Sequence, residues 1–208
     1  MNSKVNGKYK ELLEKYGDSA EAAQWSSRET QERRFEILAQ IADLKGRILD
    51  FGCGSGHLAT YLESKNVQFH YTGVDVVEEF FDIAREKNPG SRFGVLEEFR
   101  HEKFDYVFIS GVFNNKRKGN RRFYQESLRK LFGMCTKGIA FNFMSTYVDY
   151  KDANLFYESP ERVFRVIKQE VTPFVCLRHD YEVKPGVVPF EFTVYAYRVP
   201  PSKDLDTK

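Results

Sequence analysis

Three glycines at alternate positions separate a short apolar run from a segment that predicts a helix starting at His57. The run is Ile48 to Phe51, and the glycines are Gly52, Gly54 and Gly56. Glycine adopts positive φ angles and lacks a Cβ, so a ligand can lie directly against such a backbone. A helix that follows points its free N–H groups at the same ligand. The spacing therefore predicts a turn that holds a nucleoside-bearing cofactor at the end of a buried strand.

An acidic residue closes the next apolar run. Residues 69–74 predict a second strand, and Asp75 follows them. A carboxylate at this point can accept hydrogen bonds from two ribose hydroxyls. The glycine spacing is G-x-G-x-G, whereas dinucleotide sites carry G-x-G-x-x-G, and the chain has no G-K-S or G-K-T of a phosphate-binding loop. These two common nucleotide sites are therefore excluded.

The segment D-F-G-C-G-S-G, taken together with Asp75, resembles the class I S-adenosylmethionine-dependent methyltransferases. The resemblance covers about residues 44–199 and implies S-adenosyl-L-methionine as the cofactor. It implies that Asp50 orients the cofactor's amino group and that an acidic residue after the third strand receives the adenine amino group. Glu97 and Glu98 are both available for that second role, and the register favours Glu97. The implied cofactor contacts are Asp50, Gly52, Cys53, Gly54, Gly56, Asp75, Val76, Glu97 and Ser110.

Predicted strands and helices alternate along residues 44–199, and a last pair of strands flanks the turn at residues 184–186. This order predicts an α/β fold with a doubly wound, mostly parallel sheet that ends in an antiparallel hairpin. The resemblance implies seven strands. Residues 1–43 predict helices, the second over 26–44, and we expect them to form a lid. Trp25, Arg28 and Gln31 of this lid should close over the ligand and touch the cofactor carboxylate, and Trp25 is also a substrate-side candidate. A partly exposed packing helix is the alternative. Residues 200–208 are expected to be a flexible tail.

The composition and net charge limit the class of protein, its partners and its compartment. A chain of 208 residues with 41% hydrophobic and 30% charged residues predicts one soluble globular domain. A formal net charge of +2 is far below that of a typical non-specific nucleic-acid binder. Three widely spaced cysteines predict a reducing compartment. We found no targeting segment or membrane-spanning run, so a cytoplasmic protein is expected.

The loops after the fourth and fifth predicted strands should border the methyl acceptor, because ligands bind at the carboxyl ends of strands in such sheets. The substrate-side candidates there are Phe113, Asn114, Tyr147 and Tyr150, with core packing as the alternative for the tyrosines. The loop I-S-G-V-F-N-N lacks the D/N/S-P-P-Y/F tetrapeptide of DNA amine methyltransferases. It also lacks the acids that metal-dependent catechol-type enzymes place there, so no metal is expected.

No catalytic base is predicted, because no sequence-local carboxylate accompanies any of the four histidines, His57, His70, His101 and His179. A basic cluster spans residues 116–122 and could bind an anion or an RNA backbone, or be only a solvated surface. The favoured function is metal-independent, in-line methyl transfer to an oxygen or nitrogen of a small molecule, since no added substrate domain is evident. The alternatives are methylation of RNA or protein through residues 116–122, and a non-catalytic cofactor-binding partner subunit.

Overall fold

The computed structural model describes residues 3–17, 19 and 27–200. Trp25 and residues 201–208 of the expected tail lie outside the described residues. A single mixed sheet forms the centre, built from β1 (Lys45–Phe51), β2 (Gln68–Val74), β3 (Arg92–Gly94), β4 (Phe104–Ile109), β5 (Cys135–Ser145), β6 (Tyr157–Glu158), β7 (Phe174–Arg178) and β8 (Glu191–Tyr197). Seven strands follow the order β3-β2-β1-β4-β5-β8-β7. Strand β8 is antiparallel to both of its neighbours, and the other pairings among the seven are parallel.

This arrangement confirms the predicted doubly wound sheet with its antiparallel C-terminal pair. The structure adds an eighth strand, because the two-residue β6 pairs in parallel with the end of β5. Two residues carry no readable alternation of apolar and polar side chains, so this strand was not predicted.

Helices cover both faces of the sheet. They are α1 (Ser3–Tyr16), α2 (Arg28–Ala39), α3 (His57–Ser64), α4 (Phe80–Lys87), α5 (Asn120–Met134) and α6 (Pro160–Glu170), and a 3₁₀ turn spans Leu96–Phe99. Successive side chains of a strand point to opposite faces. Ile48 and Phe108 accordingly pack with α2, α3 and α4, whereas Leu49 and Val107 pack with α5 and α6. None of the helices in the described ranges is long and apolar enough to cross a membrane.

Helix α2 ends at Ala39 and not at residue 44 as its apolar spacing predicted. Two tyrosines of β8 bond to backbone carbonyls at and just beyond this end. The Tyr195 hydroxyl donates to the carbonyl of Ile37, and the Tyr197 hydroxyl donates to that of Ile41 at 3.1 Å. The last carbonyls of a helix need partners outside it, and here side chains from a distant strand supply them.

Candidate functional site

The glycine loop turns sharply between β1 and α3. Its three glycines have φ angles of 85° (Gly52), 50° (Gly54) and 74° (Gly56). The N–H groups of Gly52 and Cys53 donate to the carbonyl of Val74 at 2.7 and 3.2 Å, which ties the loop to the end of β2. Gly56 precedes α3, and a Cβ there would lie 3.0 Å from the ring of Phe93. Gly56 therefore shapes the start of the helix and is the one predicted cofactor contact that does not line the cavity described below.

Replacing Gly52 by alanine is expected to destabilise the loop by about 2 kcal/mol or more, since it combines left-handed strain with a steric clash. A Cβ at Gly52 would lie 2.3 Å from Cγ2 of Val112. Gly54→Ala is the matched control, because Gly54 has a similar φ and nothing within 4 Å of the added carbon. Thermal unfolding of both variants and of Gly52→Ala/Val112→Ala would check this. Equal destabilisation by the two alanines, with no recovery in the double variant, would contradict the proposed clash.

The carboxylate of Asp75 anchors the backbone around the loop. Its Oδ2 accepts from the N–H of Gly54 at 3.0 Å, and its Oδ1 accepts from the N–H groups of Val76 and Val77 at 2.7 and 3.0 Å. Burial raises the pKa of the Asp75 carboxyl, and these three bonds oppose that rise. Two oxygens have about four acceptor sites, so the carboxylate keeps room for a hydroxyl donor. The neighbouring Val76 is 47% exposed and presents an apolar surface beside it.

Asp50 lies beneath the loop near the end of β1. Its side chain is almost fully buried, and its Oδ2 accepts a 2.6 Å hydrogen bond from the hydroxyl of Tyr71. Burial raises the pKa of Asp50 to about 7, the hydrogen bond from Tyr71 opposes this rise, and the charge of Asp75 adds to it. The carboxyl is therefore poised to ionise near neutral pH. Burial also raises the pKa of the Cys53 thiol well above its usual range, so Cys53 offers no thiolate.

A cavity of about 1100 Å³ opens above the carboxyl ends of the strands. Eight of the nine predicted cofactor contacts line it: Asp50, Gly52, Cys53, Gly54, Asp75, Val76, Glu97 and Ser110. The structure also separates the two adjacent glutamates. Glu97 lies on the wall, whereas the Glu98 carboxylate accepts a 3.0 Å bond from the N–H of Val95 and closes the 3₁₀ turn. Of the pair, Glu97 is the one placed to meet a ligand.

The four described substrate-side candidates differ in whether they line the cavity. Asn114 lines the cavity, and its Oδ1 accepts from the N–H of Met144 at 3.2 Å. Phe113 is 1% exposed, stacks on Phe143 with ring centroids 5.0 Å apart, and does not line the cavity. Nor does the structure bring the two tyrosines to the cavity. Tyr147 and Tyr150 are 61% and 78% exposed, and the Tyr147 hydroxyl bonds to Glu161 at the start of α6.

Sequence reasoning missed a buried charged network on the cavity wall. The Nε of Arg34 lies 2.9 Å from both carboxylate oxygens of Glu191, and Nδ2 of Asn142 donates to the same carboxylate at 3.1 Å. Oδ1 of Asn142 accepts in turn from the N–H of Gly111 at 2.8 Å. Buried ion pairs are tolerated only when such bonds satisfy both partners. The network links α2 to β8, β5 and the loop after β4, and the only sequence signal was a charged residue inside an apolar strand.

Four buried side-chain polar atoms lack a hydrogen-bond partner among the described residues. They are Oγ of Ser19, Oε1 of Gln31, Oγ of Ser110 and Nε of Arg117, and all four residues line the cavity. Buried polar groups in native proteins are nearly always bonded. Their concentration on the wall of one cavity indicates that its occupant is a polar molecule.

One histidine lies on the cavity wall. His57 opens α3, and its Nε2 is 2.9 Å from a carboxylate oxygen of Glu32, a partner from α2. Burial lowers the pKa of His57, and the nearby Arg28 lowers it further, while Glu32 opposes both. The imidazole is therefore neutral at neutral pH. In the described ranges, no group of three histidine, cysteine or acidic side chains could hold a metal ion.

Comparisons with known proteins place this geometry among methyltransferases. A family profile described as "Methyltransferase domain" matches residues 49–138. The protein named "Putative methyltransferase Rv1506c" of Mycobacterium tuberculosis is 30% identical over 156 residues, which cover 71% of this chain and 90% of the relative.

Solved structures share the fold. An S-adenosylmethionine-dependent methyltransferase of Archaeoglobus fulgidus matches with a TM-score of 0.64 and 14% identity, covering 91% of this chain and 99% of its own. The magnesium protoporphyrin IX methyltransferase of Synechocystis PCC 6803, solved with bound S-adenosylmethionine, matches with a TM-score of 0.61 and 12% identity, covering 82% and 80%.

Proposed function

We propose, because this chain belongs to the class I S-adenosylmethionine-dependent methyltransferases, that it methylates an oxygen or nitrogen of a small molecule without a metal. One observation carries the proposal. The cavity runs without interruption from the glycine loop and Asp75 to the loops after β4 and β5. At about 1100 Å³ it exceeds the usual range for a pocket that holds one small ligand. It therefore has room for an acceptor beside the cofactor.

The described residues fit S-adenosylmethionine, which supplies an electrophilic methyl group on a sulfonium. Asp75 would accept the ribose hydroxyls, Val76 would pack on the adenine, and Glu97 would receive the adenine amino group. Asp50 would face the cationic amino group of the methionine part. The unpartnered hydroxyl of Ser110 and amide oxygen of Gln31 support this assignment, since both need a polar partner.

The protein would act mainly by positioning the acceptor atom relative to the methyl group. In-line attack requires the acceptor atom, the methyl carbon and the sulfur to be aligned, and such alignment alone lowers a barrier substantially. Asn114 on the loop after β4 lies on the wall where the acceptor would sit. Its carboxamide is held by the N–H of Met144, which keeps the loop in register with β5.

The N-terminal residues 1–43 would act as the lid and residues 44–199 as the cofactor-binding core. Tyr9 of α1 accepts a 2.9 Å hydrogen bond from Nδ2 of Asn115 and meets the ring of Phe80 edge-on at 6.5 Å. It therefore touches both the loop after β4 and helix α4, and it lines the cavity between them. Arg28 and Gln31 of α2 lie on the same wall and would reach the cofactor carboxylate.

The small-molecule function is favoured over RNA methylation because part of the basic cluster is neutralised within the fold. Arg121 pairs with the buried Glu158 at 2.8 Å, and Arg122 pairs with Glu126 at 2.8 Å. Two of the five cations of the cluster therefore already have a carboxylate partner, which reduces the charge available to a phosphate backbone.

Turnover would test the proposal. The protein would be incubated with S-adenosylmethionine and separate sets of phenols, amines, carboxylic acids and RNA, and S-adenosylhomocysteine formation would be measured. We expect micromolar cofactor binding and methylation of one small-molecule set only. Cofactor binding without turnover on any set would favour the non-catalytic partner subunit. Turnover on RNA, lost when Arg121 and Arg122 are replaced by glutamine, would favour the nucleic-acid alternative.

A further inference from the structure

The cavity wall carries six basic residues, and they differ in whether a carboxylate pairs with them. They are Arg28, Arg34, Arg117, Lys118, Lys130 and Lys184. Arg34 forms an ion pair with Glu191, and Nζ of Lys130 lies 3.5 Å from a carboxylate oxygen of Glu97. Among the described residues, no carboxylate lies within ion-pair distance of Arg117, Lys118 or Lys184. Of these three cations, Arg117 is partly buried, whereas Lys118 and Lys184 are exposed.

The Arg117 guanidinium is held in one place. Its central carbon lies 4.0 Å from the ring centroid of Phe123, a cation–π contact at the start of α5. Its backbone N–H donates to Oδ1 of Asn120 at 2.7 Å, and its Nη2 reaches the carbonyl of Val112 at 3.5 Å. Its Nε is buried and has no described partner. Burial accordingly lowers the pKa of this group, although arginine keeps its charge at any ordinary pH.

The carboxylates on the same wall are already committed. Asp50 takes the hydroxyl of Tyr71, and Asp75 takes three backbone N–H groups. Glu191 takes Arg34 and Asn142, and Glu97 lies 3.1 Å from Arg100. None of these acids lies within ion-pair distance of the Arg117 guanidinium. A partly buried cation without a counter-ion is unfavourable, so an anion that enters the cavity would be stabilised by Arg117.

Arg117 also lies in the acceptor half of the cavity. It belongs to the loop after β4, whereas Asp75 and Glu97 follow β2 and β3, on the other side of β1 in the sheet. The Arg117 loop is pinned to the segment after β5. The N–H of Lys116 donates to the carbonyl of Asn154 at 2.9 Å, and the N–H of Phe156 donates to that of Asn114 at 2.8 Å. The guanidinium therefore belongs to the loop after β4, on the side of β1 where the acceptor would bind.

We propose that Arg117 binds an oxyanion of the methyl acceptor, a carboxylate or a phosphate, so that the natural acceptor is a small anionic molecule. The inference rests on the proposed function. The free Nε and a neighbouring Nη form the edge that pairs with two oxygens of one anionic group. Phe123 holds the guanidinium plane, and the acceptor's anchored anionic end would orient its nucleophilic atom toward the methyl group.

Side-chain NMR would read the contact directly. Full-length ¹⁵N-labelled protein saturated with S-adenosylhomocysteine would be titrated with benzoate, phenyl phosphate and the neutral analogue benzamide. The Nε–H resonance of Arg117 would be assigned by its loss in Arg117→Gln. We expect that resonance to move downfield with the two anions and not with benzamide. Arg117→Gln should weaken anion binding about 10- to 100-fold, and the tighter of the two anions would identify the group.

The control variant is Arg122→Gln, since Arg122 is exposed and pairs with Glu126 along α5. It should bind both anions as the wild type does. An assigned Nε–H resonance that does not move would overturn the inference. Equal binding of benzamide and the anions by the wild type would overturn it even if the Gln variant failed to fold.

The cofactor provides the competing explanation. If Arg117→Gln weakens S-adenosylhomocysteine but not 5′-methylthioadenosine, which lacks the carboxylate, then Arg117 serves the cofactor and the inference fails. Failure of the wild type to bind S-adenosylhomocysteine at all would instead refute the proposed function. The anion titration of the unliganded protein would still test Arg117 in that case.

Discussion

Replacing Asp75 by alanine is expected to weaken S-adenosylhomocysteine binding by about 10- to 100-fold. The variant removes the proposed acceptor for a ribose hydroxyl, and a hydrogen bond to a charged group contributes about 1.5–3 kcal/mol. It also leaves the N–H groups of Gly54, Val76 and Val77 without their present acceptor. We therefore expect a loss of about 1–3 kcal/mol in stability as well. Calorimetric titration and thermal unfolding would measure the two effects.

The matched control is Asp82→Ala. The Asp82 side chain is 96% exposed on α4, and its nearest ion-pair partner, Arg85, is 3.5 Å away. It should leave both binding and stability unchanged. Affinity of the Asp75 variant within threefold of the wild type would refute the ribose assignment. A loss confined to stability would show that Asp75 only supports the loop.

Replacing Asp50 by asparagine is expected to stabilise the unliganded protein at pH 8 by up to about 4 kcal/mol. The pKa of Asp50 rises from 3.8 to about 7 in the fold. Between those values the folded chain holds a proton that the unfolded chain has released, so wild-type stability falls as the pH rises through this window. Three pKa units correspond to about 4 kcal/mol. Asparagine stays neutral and can still accept from the hydroxyl of Tyr71.

The stabilisation should disappear as the pH falls below about 4, where the wild-type carboxyl is protonated in both states. Chemical unfolding of both proteins between pH 4 and pH 8 would check this, with the exposed Asp82→Asn as the control. A stability difference that does not change with pH would contradict the buried-acid explanation.

The same variant should bind the cofactor less well. A cationic amino group near Asp50 favours the ionised carboxylate, so wild-type affinity for S-adenosylhomocysteine is expected to rise from pH 6 to pH 8. Asp50→Asn should bind about tenfold more weakly at pH 8 and lose that dependence. If Asp50→Asn raises stability and weakens cofactor binding, then the buried carboxyl of Asp50 destabilises the fold but serves binding.

The proposed anion site would complete the charge balance of the cavity. S-adenosylmethionine carries a sulfonium and an ammonium against one carboxylate, so it enters as a net cation. The described acids of the wall are engaged, apart from the ionisation that Asp50 can supply. An anionic acceptor paired with Arg117 would neutralise that guanidinium, and an ionised Asp50 would offset the net positive charge of the cofactor.

The glycine loop and Asp75 could be predicted from the local sequence, because each depends on a requirement of the local backbone. Gly52 and Gly54 need positive φ angles, and Asp75 must follow a buried strand whatever surrounds them. The order of apolar runs likewise predicted the alternating strands and helices. Eight of the nine expected cofactor contacts consequently meet at one cavity.

Other parts of the cavity wall depend on packing between distant segments. Arg34 and Glu191 are 157 residues apart, and His57 finds its carboxylate 25 residues earlier in α2. Phe113 looked like a substrate contact by its position in the loop, yet the rings around it draw it into the core.

The sequence by itself therefore determined the methyl donor and the order of the strands, because the glycine loop, the acid and the alternating apolar runs are local patterns with local physical causes. Only the tertiary structure decided which side chains line the cavity and which charges among the described residues have no ion-pair partner. Arg117 shows the reason: in the sequence it is one member of a basic run, and the role proposed for it follows from its packing against Phe123 and the absence of a carboxylate partner among the described residues. Burial and pairing are properties of neighbours that only the fold brings together.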